Sequence, residues 1–291
     1  MRLALLMIAA GSLSLAACSK SGSSDGSGGG GGGFSPSASV TATTTGSTGT
    51  TGGGGDWFKP LPLTSWQWQL SGTLDTSIDV AVYDVDLFET SDADLATLKG
   101  AGRKVICYFS AGSYEPNRPD SSQFSPQDYK NALVGWPDER WLDTRADAVR
   151  TIMRARLDLA ASRGCDAVEP DNVDGYANDT GLPLTAATQL DYNIFLATEA
   201  HARGLSVGLK NDLDQVSDLV ASFDWALDEE CFTYDECSVY QGSFLAAGKA
   251  VFHAEYVDVS QLASVCAVTK PLGISTVLKH LSLDAYRVPC P

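Results

Sequence analysis

Carboxylates gather in this sequence at one kind of place, just past short apolar runs. Asp84 and Asp86 follow 80–83, Glu169, Asp171 and Asp174 follow 165–168, Asp212 follows 205–209, Asp228, Glu229 and Glu230 follow 224–227, and Glu255 follows 250–254. Tyr108, Ser110, Asn172, Lys210, Asn211, Tyr256 and Lys279 occupy the same kind of position. Side chains of these types can exchange protons with a substrate or attack an acetal carbon. The histidines, His201, His253 and His280, lack metal-ligand spacing. No serine or cysteine sits in a nucleophile elbow, and no cofactor fingerprint is present, so neither a metal nor a cofactor is expected. Breaking a glycosidic bond needs two carboxyls. One protonates the leaving oxygen; the other attacks carbon or activates water, according to whether they stand about 5–5.5 Å or about 6.5–9.5 Å apart. Trp66, Trp68, Tyr108, Trp136, Trp141, Tyr176 and Tyr256 would offer platforms for sugar rings.

A ring of polar side chains at strand ends requires strands that end together. Eight apolar or β-branched runs recur, at 66–70, 80–83, 104–109, 165–168, 205–209, 224–227, 250–254 and 274–278. Helical spacing fills stretches between them. Val149, Ile152, Met153, Leu157 and Ala160 share one face before Gly164, and 190–203 ends at Gly204. Strand-helix alternation predicts parallel strands with right-handed crossovers, and eight units predict a single (β/α)8 TIM-like barrel over 56–291. A doubly wound sheet is the alternative; it would want a glycine-rich phosphate turn after its first strand, which is missing. The segment from Glu115 to Thr144, rich in Pro, Asp and Trp, reads as a long loop on the face where barrel active sites form.

Upstream of the domain the chain begins Met1-Arg2, then an apolar run to Leu15-Ala16-Ala17-Cys18. That is an export signal over 1–17, too short for a membrane-spanning helix. Leu-Ala-Ala-Cys resembles a bacterial lipobox, which implies cleavage before Cys18 and lipidation there; simple secretion is the alternative. The stretch 18–55 is Gly, Ser and Thr without apolar period, a flexible linker of about 35 Å end to end. The mature protein is expected at the cell envelope, touching membrane only through the lipid, and as a monomer. Acidic residues outnumber basic ones 36 to 20, for a net charge of −16. That balance argues against nucleic acid and favours a cationic partner. With Cys18 set aside, six of the seven cysteines remain in an oxidising compartment. Cys231–Cys237 is the favoured disulfide and Cys266–Cys290 the next.

Five stretches in order, Trp66-Gln67-Trp68-Gln69-Leu70, the run from Lys104 to Ser113, Glu169-Pro170-Asp171-Asn172-Val173-Asp174-Gly175-Tyr176, Gly208-Leu209-Lys210-Asn211-Asp212 and Glu229-Glu230-Cys231, resemble glycoside hydrolase family 114, the endo-α-1,4-polygalactosaminidases. The resemblance implies a TIM-like barrel and metal-free endo-cleavage of α-1,4-linked galactosamine. It places the family's catalytic aspartate on Asp171, as nucleophile or its helper, and the catalytic glutamate on Glu229, as acid/base, with Glu230 the adjacent alternative. By the same resemblance Asp84, Tyr108, Ser110, Asn172, Asp174, Lys210, Asn211, Asp212, Glu255 and Tyr256 would line the sugar subsites. Unacetylated galactosamine is an ammonium sugar, which gives the acidic balance a substrate-level reason: a cationic amino-sugar polysaccharide as partner. Hydrolysis of another deacetylated hexosamine polymer, and a glycan-binding surface lipoprotein without catalysis, are the alternatives.

Overall fold

The computed structural model describes residues 57–291; the export signal, Cys18 and the Gly/Ser/Thr linker lie outside the described residues. Strand β1 (Trp66–Gln69) passes to β2 (Val82–Asp86), followed by helix α1 (Asp92–Gly100) and β3 (Lys104–Ser110). After β3 come β4 (Ser113–Tyr114), β5 (Tyr129–Leu133), β6 (Trp136–Leu142) and helix α2 (Asp147–Ser162). Then β7 (Ala167–Asp171), α3 (Ala186–Ala202), β8 (Ser206–Lys210), α4 (Val216–Leu219) and β9 (Trp225–Glu229) alternate. The chain ends with β10 (Val251–Glu255), α5 (Leu262–Leu272), β11 (Ser275–Leu278) and β12 (Val288–Pro289).

Each expected apolar run is a strand, and β1, β2, β3, β7, β8, β9, β10 and β11 pair in that order, all parallel. This curled parallel sheet is the TIM-like barrel. Parallel strands align their ends, so the wall has a mouth, where strands finish, and a floor, where they begin. Helices are fewer than strands among the described residues. A turn without a helix joins β1 to β2, and a 3-10 turn at Cys237–Tyr240 serves between β9 and β10. The seam between β11 and β1 closes through the C-terminal stretch. There β12 runs antiparallel to β11, Leu70 N–H and Ser71 N–H donate to Leu283 O at 2.9 and 3.2 Å, and Arg287 Nε donates to Trp66 O at 2.7 Å.

Period-two alternation along the strands separates two cores. Inward-facing Trp66, Trp68, Val82, Ile106, Trp225 and Phe252 fill the barrel, and outward-facing Val105, Cys107 and Val207 pack against Leu98, Met153, Leu157 and Leu196 of the helices. The helices form for the reasons their sequences give. All five apolar positions named for α2 are buried, and α3 starts in a capping box in which Thr185 and Thr188 satisfy each other's backbone N–H. The segment after β3 corrects the expected irregular loop. β5 and β6 form a hairpin that joins β4 in a small antiparallel sheet, and the polar residues of both strands disguised them.

Three disulfides tie the wall. Cys231–Cys237 and Cys266–Cys290 are the two expected pairs, and Cys107–Cys165 joins β3 to the start of β7. This third bridge spans 58 residues, so in the chain-entropy picture it restrains the unfolded state most. On the floor, Asp224 organises the entry of the chain. Trp57 Nε1 donates to its Oδ1 at 2.9 Å, His201 Nε2 meets its Oδ2 at 2.8 Å, and the Trp57 ring stacks on His201 at 4.2 Å. No helix among the described residues is long and apolar enough to cross a membrane.

Candidate active site

Strand alternation brings Glu169 and Asp171 of β7 to one face, and β8 and β9 end beside them with Lys210 and Glu229. Lys210 Nζ is the hub. It lies 2.7 Å from Glu169 Oε1, 3.3 Å from Asp171 Oδ1 and 3.2 Å from Glu229 Oε2, with the Trp68 ring 4.6 Å away. Burial works against an ammonium at this depth, but Asp171, Glu169 and Glu229 outweigh it and hold Lys210 firmly charged. The side chains of Lys210 and Glu169 are 2% and 0% exposed, whereas Asp171 and Glu229 keep 18% and 22%. Those two carboxylates are therefore the members of the cluster that a ligand at the mouth can touch.

Because both grip one ammonium, their facing oxygens stand no further apart than about 6.5 Å, the two contacts end to end. Each has further donors. Tyr108 Oη donates to Asp171 Oδ2 at 2.9 Å and Asn172 N–H to Asp171 Oδ1 at 2.7 Å, while Tyr256 Oη donates to Glu229 Oε1. Burial, then the neighbouring carboxylates, push both phenols well above the usual tyrosine range, so they remain donors. Glu230 has no place on Lys210. Its backbone is left-handed at φ 67°, and burial, then Glu255 and Glu229, raise its carboxyl to about 7.

Four non-glycine residues take left-handed backbone just past three of these strands: Asn172 after β7, Asn211 and Asp212 after β8, and Glu230 after β9. Such conformations cost energy and persist where the surroundings enforce them. Here each polar side chain near the pair has a job. Asn211 Oδ1 accepts from Glu229 N–H at 3.0 Å, and Asn172 Nδ2 donates to Ser110 Oγ at 2.9 Å. The turn from Ser110 to Ser113 lies so close to β7 that a Cβ on Gly112 would sit 1.7 Å from Asn172 O, so only glycine fits. Ala111 N–H and Gly112 N–H both donate to Asp171 O, at 2.8 and 3.0 Å.

The expected site residues divide accordingly. Tyr108, Asn172, Asn211 and Tyr256 surround the Asp171–Glu229 pair, and Lys210 lies beneath it. Asp212 stands behind, taking bonds from Asn193 at 2.9 Å and Tyr176 at 3.2 Å, with its carboxyl raised to about 7 by burial and then by Asp174. Asp174 is raised to about 6, by burial and then Asp171. Asp84 and Ser110 are fully buried, so they back the lining instead of forming it. Glu255 faces the outside of the wall, where it meets His253 Nε2 at 3.0 Å and Thr233 Oγ1 at 2.5 Å and pins the disulfide loop after β9. Trp66 and Trp68 are 1% exposed and belong to the barrel core, not to a sugar platform. Glu169 was visible only as one more strand-end acid; the spacing of two that it shares with Asp171 is the signal that puts both inside.

Cys231, Cys237 and His253 offer ligand atoms within 4.8 Å of one another, but the cysteines are joined in a disulfide and supply no thiolate. A surface cleft lined by Phe88, Asp92, Asp120, Arg156 and Arg163 lies outside the barrel wall. Its arginines are engaged with Asp120 and Asp92, so it is a seam between α2 and the segment after β3.

Comparison with known proteins identifies the family and the fold. The model of glycoside hydrolase family GH114 matches residues 47–291. A crystal structure of Aspergillus fumigatus Ega3 in complex with galactosamine is 43% identical, with a TM-score of 0.77 over 80% of this chain and 97% of that one. The glycoside hydrolase domain of PelA from Pseudomonas aeruginosa, 13% identical, superimposes with a TM-score of 0.60 over 78% of this chain and 98% of that one, a likeness of fold. No curated protein sequence matches.

Proposed function

Since the chain belongs to glycoside hydrolase family GH114, we propose that it cuts α-1,4-galactosaminidic bonds within a cationic galactosamine polymer, using Asp171 and Glu229. One observation carries this reading: two partly open carboxylates from different strands share a single buried ammonium at the mouth of the barrel. The galactosamine held by the related Ega3 structure supports the sugar class.

Asp171 is the nucleophile. Three donors, Tyr108 Oη, Asn172 N–H and Lys210 Nζ, hold and aim it. Glu229 gives its proton to the glycosidic oxygen as the bond to the anomeric carbon breaks and Asp171 forms an ester. It then takes a proton from the water that releases the sugar. Their facing oxygens lie within about 6.5 Å of each other, close enough for Asp171 to attack the anomeric carbon while Glu229 protonates the leaving oxygen.

Digestion of a partly deacetylated galactosamine polymer, followed by mass spectrometry, is expected to give oligomers, and Glu229→Gln to give none. Cutting of only another hexosamine polymer moves the substrate; binding without products on every glycan refutes the enzyme. The first-formed anomer, read by NMR, is expected to keep the α configuration. We also propose that residues 1–17 are an export signal, that Cys18 carries lipid, that 18–55 is a flexible linker, and that the protein works as a monomer. Palmitate labelling that disappears in Cys18→Ser tests the anchor.

A further inference from the structure

Beneath the reacting pair, Asp84 of β2 and Glu169 of β7 are both fully buried inside the barrel. Glu169 Oε1 takes the 2.7 Å contact from Lys210. Its Oε2 and both oxygens of Asp84 find no N–H or hydroxyl among the described residues, and the two carboxyls lie close enough to act on each other's ionisation. An ionised carboxylate only accepts, so the two can satisfy each other only if one of them holds a proton. The charged groups facing Asp84 are Glu169 and Asp171 of β7 and Lys210 of β8, and Lys210 in turn holds Glu229 of β9. Three carboxyls thus hold one ammonium, and the fourth, Asp84, stands in the closed interior without a direct contact to it.

We propose that Asp84 is a positioning residue: it stays a neutral carboxylic acid and donates its proton to Glu169. The bond fixes Glu169, Glu169 fixes the Lys210 ammonium, and Lys210 sets the spacing of Asp171 and Glu229. The proton belongs on Asp84 because Glu169 has the ammonium and Asp84 has no cation of its own within reach of a direct contact. Burial, then the charge of Glu169, push the Asp84 carboxyl well above the usual carboxylate range. Burial also raises Glu169, though Lys210 pulls against it, and the balance stands at about 7. The inference rests on Asp171 and Glu229 being the hydrolytic pair.

Asp84→Asn tests it, because an amide N–H can replace the acid proton and donate to Glu169. That variant is expected to keep kcat within about threefold of the parent, whereas Asp84→Ala loses about tenfold or more in kcat with KM little changed. Infrared difference spectra at neutral pH supply a readout that needs neither turnover nor the alanine variant to fold. A carboxylic-acid carbonyl band over and above those of Asp212, Asp228 and Glu230, which stand at about 7, is expected in the parent and in Glu229→Gln, and that increment is absent from Asp84→Asn. Loss in Asp84→Asn as deep as in Asp84→Ala, full activity in a folded Asp84→Ala, or no such increment in the parent overturns the proposal. A parent with the band but no products on any glycan refutes the hydrolytic pair instead.

Discussion

At the floor of the barrel the chain turns from α2 into β7 through Gly164 and from α3 into β8 through Gly204, both left-handed, at φ 74° and 72°. At the mouth it leaves β7 and β8 through Asn172, Asn211 and Asp212, left-handed as well, at φ 60°, 48° and 49°. The backbone task is similar, and glycine performs it without a steric penalty. The mouth accepts the penalty because its side chains are needed: Asn211 holds Glu229, and Asn172 ties Ser110 to β7. The interiors differ in the same sense. Trp66, Trp225 and Phe252 pack the lower barrel, and the upper barrel holds acids around one lysine. Strain and buried charge at one end therefore mark where chemistry, not packing, has determined the residue.

The largest expected effect breaks activity and spares the fold. Asp171→Asn is expected to lower kcat by a factor of about 10⁴ or more, with a melting temperature equal to or above the parent's; activity near the parent's would remove the mouth from consideration. Trp225→Ala is the complement at the lower barrel. The ring is fully buried, covers Gly208 so closely that a Cβ there would lie 2.4 Å from it, and donates to Ser206 Oγ at 3.1 Å. Its loss is expected to cost about 3–5 kcal/mol in denaturant unfolding, while kcat per folded molecule stays near the parent's.

Acid and base separate the two ends next. Burial raises Asp228, behind β9, to about 7, despite His253 and Tyr240. Its folded value lies above its unfolded one near 4, so the stability it adds is full below about pH 4 and is gone once pH passes about 7. Burial also acts on Asp224 at the floor, but His201, Trp57 and the Val207 N–H outweigh it and hold that carboxyl below the usual range. Its contribution is present above the ordinary aspartate value and fades as pH falls. Between about pH 4 and 7 stability is expected to fall by roughly 1–3 kcal/mol less in Asp228→Asn than in the parent, and Asp224→Asn to lose part of the acid-side fall. Equal slopes in the two variants would contradict the assignment.

The smallest effects test the backbone contrast directly. Gly204→Ala, whose new Cβ meets nothing within 4 Å, isolates the conformational cost at about 1–2 kcal/mol with unchanged kcat. Asn211→Gly is expected to shift stability by less than about 1 kcal/mol, relief of strain offsetting the lost bond to Glu229 N–H, yet to reduce kcat about tenfold. Equal losses of stability in both would erase the distinction.

The strands were legible as short apolar runs, β-branched in most and carried by tryptophan in β1 and β9, and buried almost throughout, and Gly164 and Gly204 ended α2 and α3 where helical spacing stopped. The pairing of Asp171 with Glu229 was legible only through ordered motifs, since a contact between distant strands leaves no local periodicity. Direction was the hardest to read. Glu255 follows its strand as the site residues do, but its register turns it outward to His253. Trp68 looked like a sugar platform and instead lies beneath Lys210. The sheet after β3 went unread because its two longer strands carry polar and charged residues and a proline, Lys130 and Asn131 in β5 and Pro137, Asp138, Glu139 and Arg140 in β6, in place of an apolar run.

Trp57 seats the first described residues under the strand starts, and β12 runs antiparallel to β11, carrying Pro291 back toward that side. A bead or label joined at Trp57 or at Pro291 would accordingly sit at the closed base and leave polymer a free approach to the opening. Pulling on the chain at Trp57 would load its contact with Asp224 before it disturbed any residue at the mouth.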